Sequence, residues 1–283
     1  MKIIITGAGG LVGDGLARHF AGRHSVVALK HAQLDVTDAE AVRRLVLTET
    51  PQVVFNCAVI GVDECERERE AARNLNVEAP RTLATACAEA GAEFVHFSTN
   101  YVFDGERQKL YTAADEARPV NFYGETKLAG ERAALEASAR TYVVRTSWVY
   151  GAGKESFLST AHRELRARRR VRAITDTCAS TTYVADLAAR VEEILQRRRH
   201  GTYHVVNAGV CTYLEFANEA ARLVGLSEET AARLIERVTE EEMKRAPRPR
   251  YTPMRCTLSE ELKLAPLRDW RAALAEYVSR DPR

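Results

Sequence analysis

At 283 residues with a formal net charge of +2, the chain suits one large domain or two modest ones, and its charge marks no dedicated nucleic-acid binder. A hydrophobic share of 46% supplies a core and excludes a disordered tail. No apolar run reaches the ~18 residues of a membrane span, and the run before Gly7 is too short for a signal peptide. Six cysteines (Cys57, Cys65, Cys87, Cys178, Cys211 and Cys256) show neither Cys-x-x-Cys pairs nor zinc spacing with histidine. They read as reduced small hydrophobes, which predicts a cytoplasmic protein without disulfides, a structural metal or a membrane partner.

The β-branched run Lys2–Thr6, closed by glycines, predicts a buried strand, and Leu11–Phe20 has helical apolar spacing. Ser25–Leu29 is a second strand and Asp38–Leu47 a helix capped by Asp38. Val53–Cys57, Phe94–Ser98 and Tyr142–Thr146 continue the strands, with helices over Glu66–Ala90 and Phe122–Ala137 between them. This alternation predicts an α/β fold, a doubly wound parallel sheet of Rossmann type over residues 1–150. Strand runs without apolar–polar alternation agree with burial on both faces. Beyond residue 150 the rhythm weakens. Val171–Thr175 and Tyr203–Asn207 read as strands around a helix at Ala185–Arg197. Thr212–Val224, Ser227–Arg237 and Asp269–Val278 read as helices, and Ala246–Pro253 as an extended loop. Residues 151–283 are expected to form a smaller substrate lobe that partly returns to the main sheet.

The phrase Thr6-Gly7-Ala8-Gly9-Gly10-Leu11-Val12-Gly13 lies between the first strand and the first helix. Gly7 permits a tight turn, Gly10 lets backbone approach a pyrophosphate and Gly13 allows close helix packing, with the helix N-terminus at Leu11 and Val12 facing the anion. The position predicts dinucleotide binding. An acidic residue ending the second strand would select NADH by binding the ribose hydroxyls. Here Lys30 and His31 follow Leu29, and Asp35 lies past the strand end. This favours NADPH, with NADH left open. The plain alternative makes Lys30 an ordinary solvated side chain.

Tyr123 and Lys127, four apart, share one helix face. A phenol with a pKa of about 10 is a poor proton donor and acceptor at neutral pH. An ammonium beside it lowers that pKa and lets the pair pass a proton to a carbonyl oxygen. Ser98-Thr99 ends the fourth strand at the sheet edge where ligands sit, and Thr99 is placed to hydrogen-bond the same oxygen.

These motifs resemble the extended short-chain dehydrogenases/reductases. The stretches QLDVTD (33–38), STNYVFDG (98–105), YGETKLAGE (123–131), RTSWVYG (145–151), RPRYTPM (248–254) and DWRAALAEYV (269–278) are similar to the dTDP-4-dehydrorhamnose reductase branch. The resemblance implies Thr99, Tyr123 and Lys127 as the catalytic set of an NADPH-dependent oxidoreductase. Such an enzyme reduces the C4 ketone of a dTDP-4-keto-6-deoxysugar on the way to dTDP-L-rhamnose. It also implies Asp35 and Val36 at the adenine, Cys57, Ala58 and Val59 along the cofactor, and Thr99, Asn100 and Trp148 at the sugar. Core packing is the other reading of Trp148. A nucleotide-sugar substrate is the expected partner, and a homodimer is left open.

Asn100 stands where that family usually has Asp, and DTCASTT (176–182) replaces its Asp-Gln-x-Gly-x-Pro-Thr, with Thr177, Ala179 and Thr181 as the changes. These departures put the sugar in more question than the chemistry. They also suit the regulatory subunit of methionine adenosyltransferase, a relative in the same family that is a binding module. The basic runs Arg166–Arg172 and Arg197–His200 read as solvated helix ends, with a phosphate contact as the functional alternative. Glu240–Glu242 read as an exposed acidic helix end rather than a metal contact.

Overall fold

The computed structural model describes residues 1–281. In its first half, β1 (Lys2–Thr6), α1 (Leu11–Phe20), β2 (Ser25–Leu29), α2 (Ala39–Glu49) and β3 (Val53–Asn56) lead into two short helices. These are α3 (Val62–Arg67) and α4 (Arg69–Arg73), followed by α5 (Ala79–Ala90), β4 (Glu93–Thr99), α6 (Phe122–Ala137) and β5 (Thr141–Thr146). The second half carries β6 (Val149–Tyr150), α7 (Phe157–Arg166), β7 (Val171–Ile174), β8 (Cys178–Ala179), β9 (Thr182–Tyr183), α8 (Val184–Arg197) and β10 (Gly201–His204). It continues through β11 (Cys211–Thr212), α9 (Tyr213–Leu223), α10 (Glu228–Leu234), β12 (Ile235–Val238), β13 (Tyr251–Thr252), α11 (Thr257–Glu261) and α12 (Trp270–Arg280).

The main sheet is parallel, in the order β10-β5-β4-β3-β1-β2. The expected doubly wound Rossmann-type sheet is therefore present, and the strand at Gly201–His204 returns to it beside β5. Ile3 and Ile5 pack with Leu16, Phe20, Leu187 and Val191 of α1 and α8. Ile4, between them, packs with Val42, Val46 and Leu83 of α2 and α5 on the opposite face. Both pleat directions are thus apolar, which is why β1 shows no alternation. A further core of Tyr150, Leu165, Phe216, Trp270 and Leu274 fills the second half and takes in Leu11 of α1.

Two expected helices differ. Ser227–Arg237 does start as a helix, with Ser227 capping Thr230 N, but Ile235–Val238 becomes a strand parallel to Val171–Ile174. Hydrogen bonds to a distant strand outweigh local helical spacing there. The stretch Glu66–Ala90 is broken, with a π-helical turn at Asn74–Glu78 ahead of Pro80.

Because β1 pairs with both β2 and β3, the chain order reverses between β1 and β3. Their carboxyl ends diverge at that point, and open α/β sheets bind ligands in such crevices.

Candidate active site

At the β1 turn Gly7 has φ +66, and a Cβ there would stand 2.5 Å from Ala58 N. Only glycine lets the turn press against the end of β3. A Cβ on Gly13 would lie 2.5 Å from Gly7 O, so α1 starts tight against the same turn. The N-cap of α1 is Gly10, which supplies no side-chain hydrogen bond, so the first amides of the helix face the crevice uncapped. A cleft of about 600 Å³ opens here, and its walls include Gly7, Gly10, Asp35, Val36, Cys57, Ala58 and Val59. Leu11 and Val12 send their side chains into the two cores and have only backbone to offer the cleft. Lys30 is exposed and lies outside the lining, with its stem passing Gly9.

The lining also includes Leu75 and Lys154, which carried no signal in the sequence, and His31 and Thr37, which had been given no binding role. Lys154 arrives from the loop after β6, which no local motif ties to the glycine turn. Asp35 Oδ1 accepts from both Thr37 N (2.9 Å) and Thr37 Oγ1 (2.7 Å), and these bonds hold its carboxyl below the usual carboxylate range.

Next to the cleft, α6 presents Tyr123 and Lys127 to the end of β4. Asn121 caps this helix, accepting from Gly124 N at 2.8 Å, and its amide also donates to Pro247 O at 2.7 Å. A Cβ on Gly130 would come within 2.0 Å of Asn76 O, so α6 seats directly on the π-helical turn. Lys127 is only 2% exposed, and its Nζ donates to Phe97 O at 2.7 Å. Burial lowers its pKa to about 8.

Burial pushes the Tyr123 phenol pKa up, and Thr99 beside it pulls the other way. The net direction is upward, with burial the largest cause. In this desolvated setting the phenol keeps its proton, and Lys127 is itself a weakened cation. A donor that stays protonated is the form a carbonyl reduction needs.

Asn100 is 2% exposed, with its amide donating to Thr252 Oγ1 at 2.6 Å and its oxygen beside Thr99 Oγ1 at 3.3 Å. It braces Thr99 against β13 and is turned away from open space. Trp148 sits in the left-handed region (φ +43), with its ring 4.0 Å from that of Tyr213. A bulky residue held there is strained, which marks a position over-determined by its surroundings.

Around Tyr123 stand groups to which sequence reasoning gave no role, Tyr101 from the first half and two arginines from the second. Tyr101 meets the Tyr123 ring edge-on at 5.9 Å. Arg248 forks onto Asp63 of α3, with both bonds at 2.7 Å, and holds that carboxyl at about 2. Arg245 binds Glu240 in the same bidentate way. The RPRYTPM stretch was the available signal, but nothing local ties an arginine at 248 to an aspartate at 63. Glu240 and Glu242 are spent on Arg245 and on Thr239. In the 176–182 loop the Thr177 and Thr181 hydroxyls are buried without partners among the described residues.

The basic runs fall elsewhere. His200, at the end of the second run, binds Glu93 at the amino end of β4, on the far edge of the sheet. From the first run, Arg169 pairs with Glu164 and Arg172 with Glu236. Among the described residues no helix is long and apolar enough to cross a membrane.

The model of the RmlD substrate binding domain matches residues 1–282. The chain belongs to this RmlD family. One RmlD-type relative, the dTDP-4-dehydrorhamnose reductase of Mycolicibacterium smegmatis, is 41% identical, with 98% of this chain and 85% of the relative covered. The probable dTDP-4,6-dihydroxy-2-methyloxan-3-one 4-ketoreductase of Streptomyces antibioticus is 37% identical, with 98% and 94% covered. The crystal structure of dTDP-4-dehydrorhamnose reductase from Bacillus anthracis in complex with NADP superposes with a TM-score of 0.93. It is 30% identical, and 99% of each chain is covered. The RmlD assignment thus spans both halves, including the lobe where sequence periodicity was weakest.

Proposed function

We propose that this protein is an NADPH-dependent reductase of the C4 ketone of a dTDP-4-keto-6-deoxysugar, of the dTDP-4-dehydrorhamnose reductase type. The observation that carries the reading is the placement of a half-buried Tyr123 phenol near Thr99, with Lys127 one turn on, beside a glycine-walled dinucleotide cleft.

The cleft fits a dinucleotide because Gly7 and Gly10 leave backbone where side chains would intrude. Residues 1–150 would then hold most of the cofactor, with Lys154 added from beyond them, and 151–283 most of the sugar nucleotide. Asp35 has one oxygen committed to Thr37 and His31 lies beside it, while Lys154 is a further cation lining the cleft, which suits the added phosphate of NADPH; NADH stays the lesser alternative. The chemistry NADPH supplies when bound is the hydride that adds to C4. Tyr123 donates its phenolic proton to the C4 oxygen as negative charge develops there, and Thr99 orients that oxygen. Lys127 supports the resulting phenolate, and in this reading it also holds the nicotinamide ribose. Trp148 and Tyr213 form a wall for the sugar. Arg245 and Arg248 are the cations within reach of a sugar-linked diphosphate.

The six free cysteines suit the reducing cytoplasm, the compartment this reading implies. A homodimer is compatible with it.

The test is oxidation of NADPH by the purified protein with dTDP-4-dehydro-6-deoxy-L-mannose and a panel of other nucleotide-linked 4-keto sugars. Turnover of one of them, abolished by Tyr123→Phe with NADPH binding retained, is the expected result. NADPH binding without turnover of any sugar would favour a regulatory binding module instead.

A further inference from the structure

Behind Lys127 a buried chain of hydrogen bonds fixes where one proton sits. The backbone N–H of Ala58 can only donate, and it lies 3.2 Å from Asn56 Oδ1. The Asn56 amide therefore turns its oxygen toward Ala58, and Thr6 Oγ1 donates to that oxygen at 3.0 Å. Its Nδ2, which also only donates, faces His96 Nδ1 at 3.3 Å. His96 Nδ1 is thus an acceptor. Burial holds the ring neutral, since the His96 pKa falls well below its ordinary value, and a neutral imidazole carries a single N–H. That hydrogen is on Nε2, which lies 3.3 Å from Lys127 Nζ. An ammonium has no lone pair to receive it, whereas a free amine does.

Groups facing Nζ from other directions favour its charge but are themselves engaged or kept neutral. Glu131 is one turn along α6, but Arg145 binds it through Nε at 2.9 Å and Nη2 at 2.7 Å, and Ser98 donates to it as well. Cys57, after β3, and Cys65, in α3, are kept protonated by burial, as is Tyr123 on the same helix. From β4 come the Phe97 carbonyl and the His96 ring.

We propose that His96 is a positioning residue for the reduction: locked as the Nε2–H tautomer by Thr6 and Asn56, it points that N–H at Lys127 and biases the lysine toward the free amine. The ammonium that supports Tyr123 is then lost as pH rises through the neutral to mildly alkaline range, and His96 sets where. This inference rests on the reductase reading for its effect on turnover, but not for the tautomer itself.

Three variants and nitrogen NMR test it. Asn56→Asp offers His96 Nδ1 a pure acceptor, which draws the ring hydrogen to Nδ1 and leaves a bare Nε2 to accept from an ammonium. His96→Phe removes the N–H and keeps the ring shape. In both, the alkaline limb of the kcat profile should move up by about one pH unit or more. Nitrogen NMR of the histidine-labelled full chain should show His96 neutral and protonated on Nε2 in the wild type, and on Nδ1 in Asn56→Asp. An Nδ1–H tautomer in the wild type overturns the proposal, as does an alkaline limb unmoved in Asn56→Asp. If no sugar nucleotide is turned over, the reductase reading fails. The Nε2 resonance then decides His96: a titration with pH that Lys127→Met abolishes supports the coupling, and its absence refutes it.

Discussion

The cofactor side and the substrate side of the cleft are built in different ways. Gly7, Gly10, Asp35 and Cys57 come from consecutive turns at the ends of β1, β2 and β3, and their work is done by backbone and by missing side chains. On the other side Tyr101, Tyr123, Trp148, Tyr213 and Arg248 come from five separate segments and act through side chains. The first side depends chiefly on the few positions that must be small. The second depends on long-range contacts such as Asn121 to Pro247 and Arg248 to Asp63, so it is where substrate preference can change while the fold persists.

If this contrast holds, damage on the two sides should separate kinetically. The largest effect is expected for Tyr123→Phe, with kcat falling by about 10²–10⁴-fold and NADPH affinity, read by fluorescence titration, nearly unchanged. Retention of turnover would remove Tyr123 as proton donor. Next is Gly7→Val, which forces a side chain onto Ala58 and into a positive-φ position. It should weaken NADPH binding at least ~10-fold and lower stability by ~1–3 kcal/mol, seen in denaturant melts.

Arg248→Ala should be milder, raising KM for the sugar nucleotide several-fold with kcat little changed. It should also alter acid stability. The Asp63 pKa is depressed from 3.8 to about 2 in the folded chain, so its contribution is present above about pH 4 and lost as pH falls toward 2. The wild type should lose stability over that window and the variant less so, although the half-exposed Asp63 keeps the difference small. The smallest effect is expected for Lys30→Ala, whose side chain stands outside the lining. A change under ~3-fold in the NADPH-to-NADH preference would leave that choice to His31 and Lys154, whereas a larger one would return it to Lys30.

Legibility in the sequence follows the same division. Strands β1 to β5 were readable because residues such as Ile3, Ile4 and Ile5 are apolar on both faces and bounded by turns. The glycine turn and the Tyr123–Lys127 spacing were readable because each is a local pattern. Ile235–Val238 was not, because its strand state exists only through pairing with Val171–Ile174. Asn100 was expected at the sugar because a resemblance transfers position, whereas its turn toward Thr252 depends on a contact 152 residues away. His96 gave no signal at all: inside a strand it looks like any buried residue, and only the Asn56 amide shows what its ring must do.

The place of β10 has a consequence for how this chain can be made and cut. Its four residues, Gly201–His204, cover the outer side of β5, all of whose residues are buried in the finished fold. A fragment ending near residue 150 would keep Gly7, Gly10 and Gly13 and both members of the Tyr123–Lys127 pair, yet would present β5 as an open edge. Exposed apolar edges recruit other strands. On the ribosome the same edge stays uncovered until some fifty further residues have emerged, which makes that interval the chain's period of greatest exposure to aggregation.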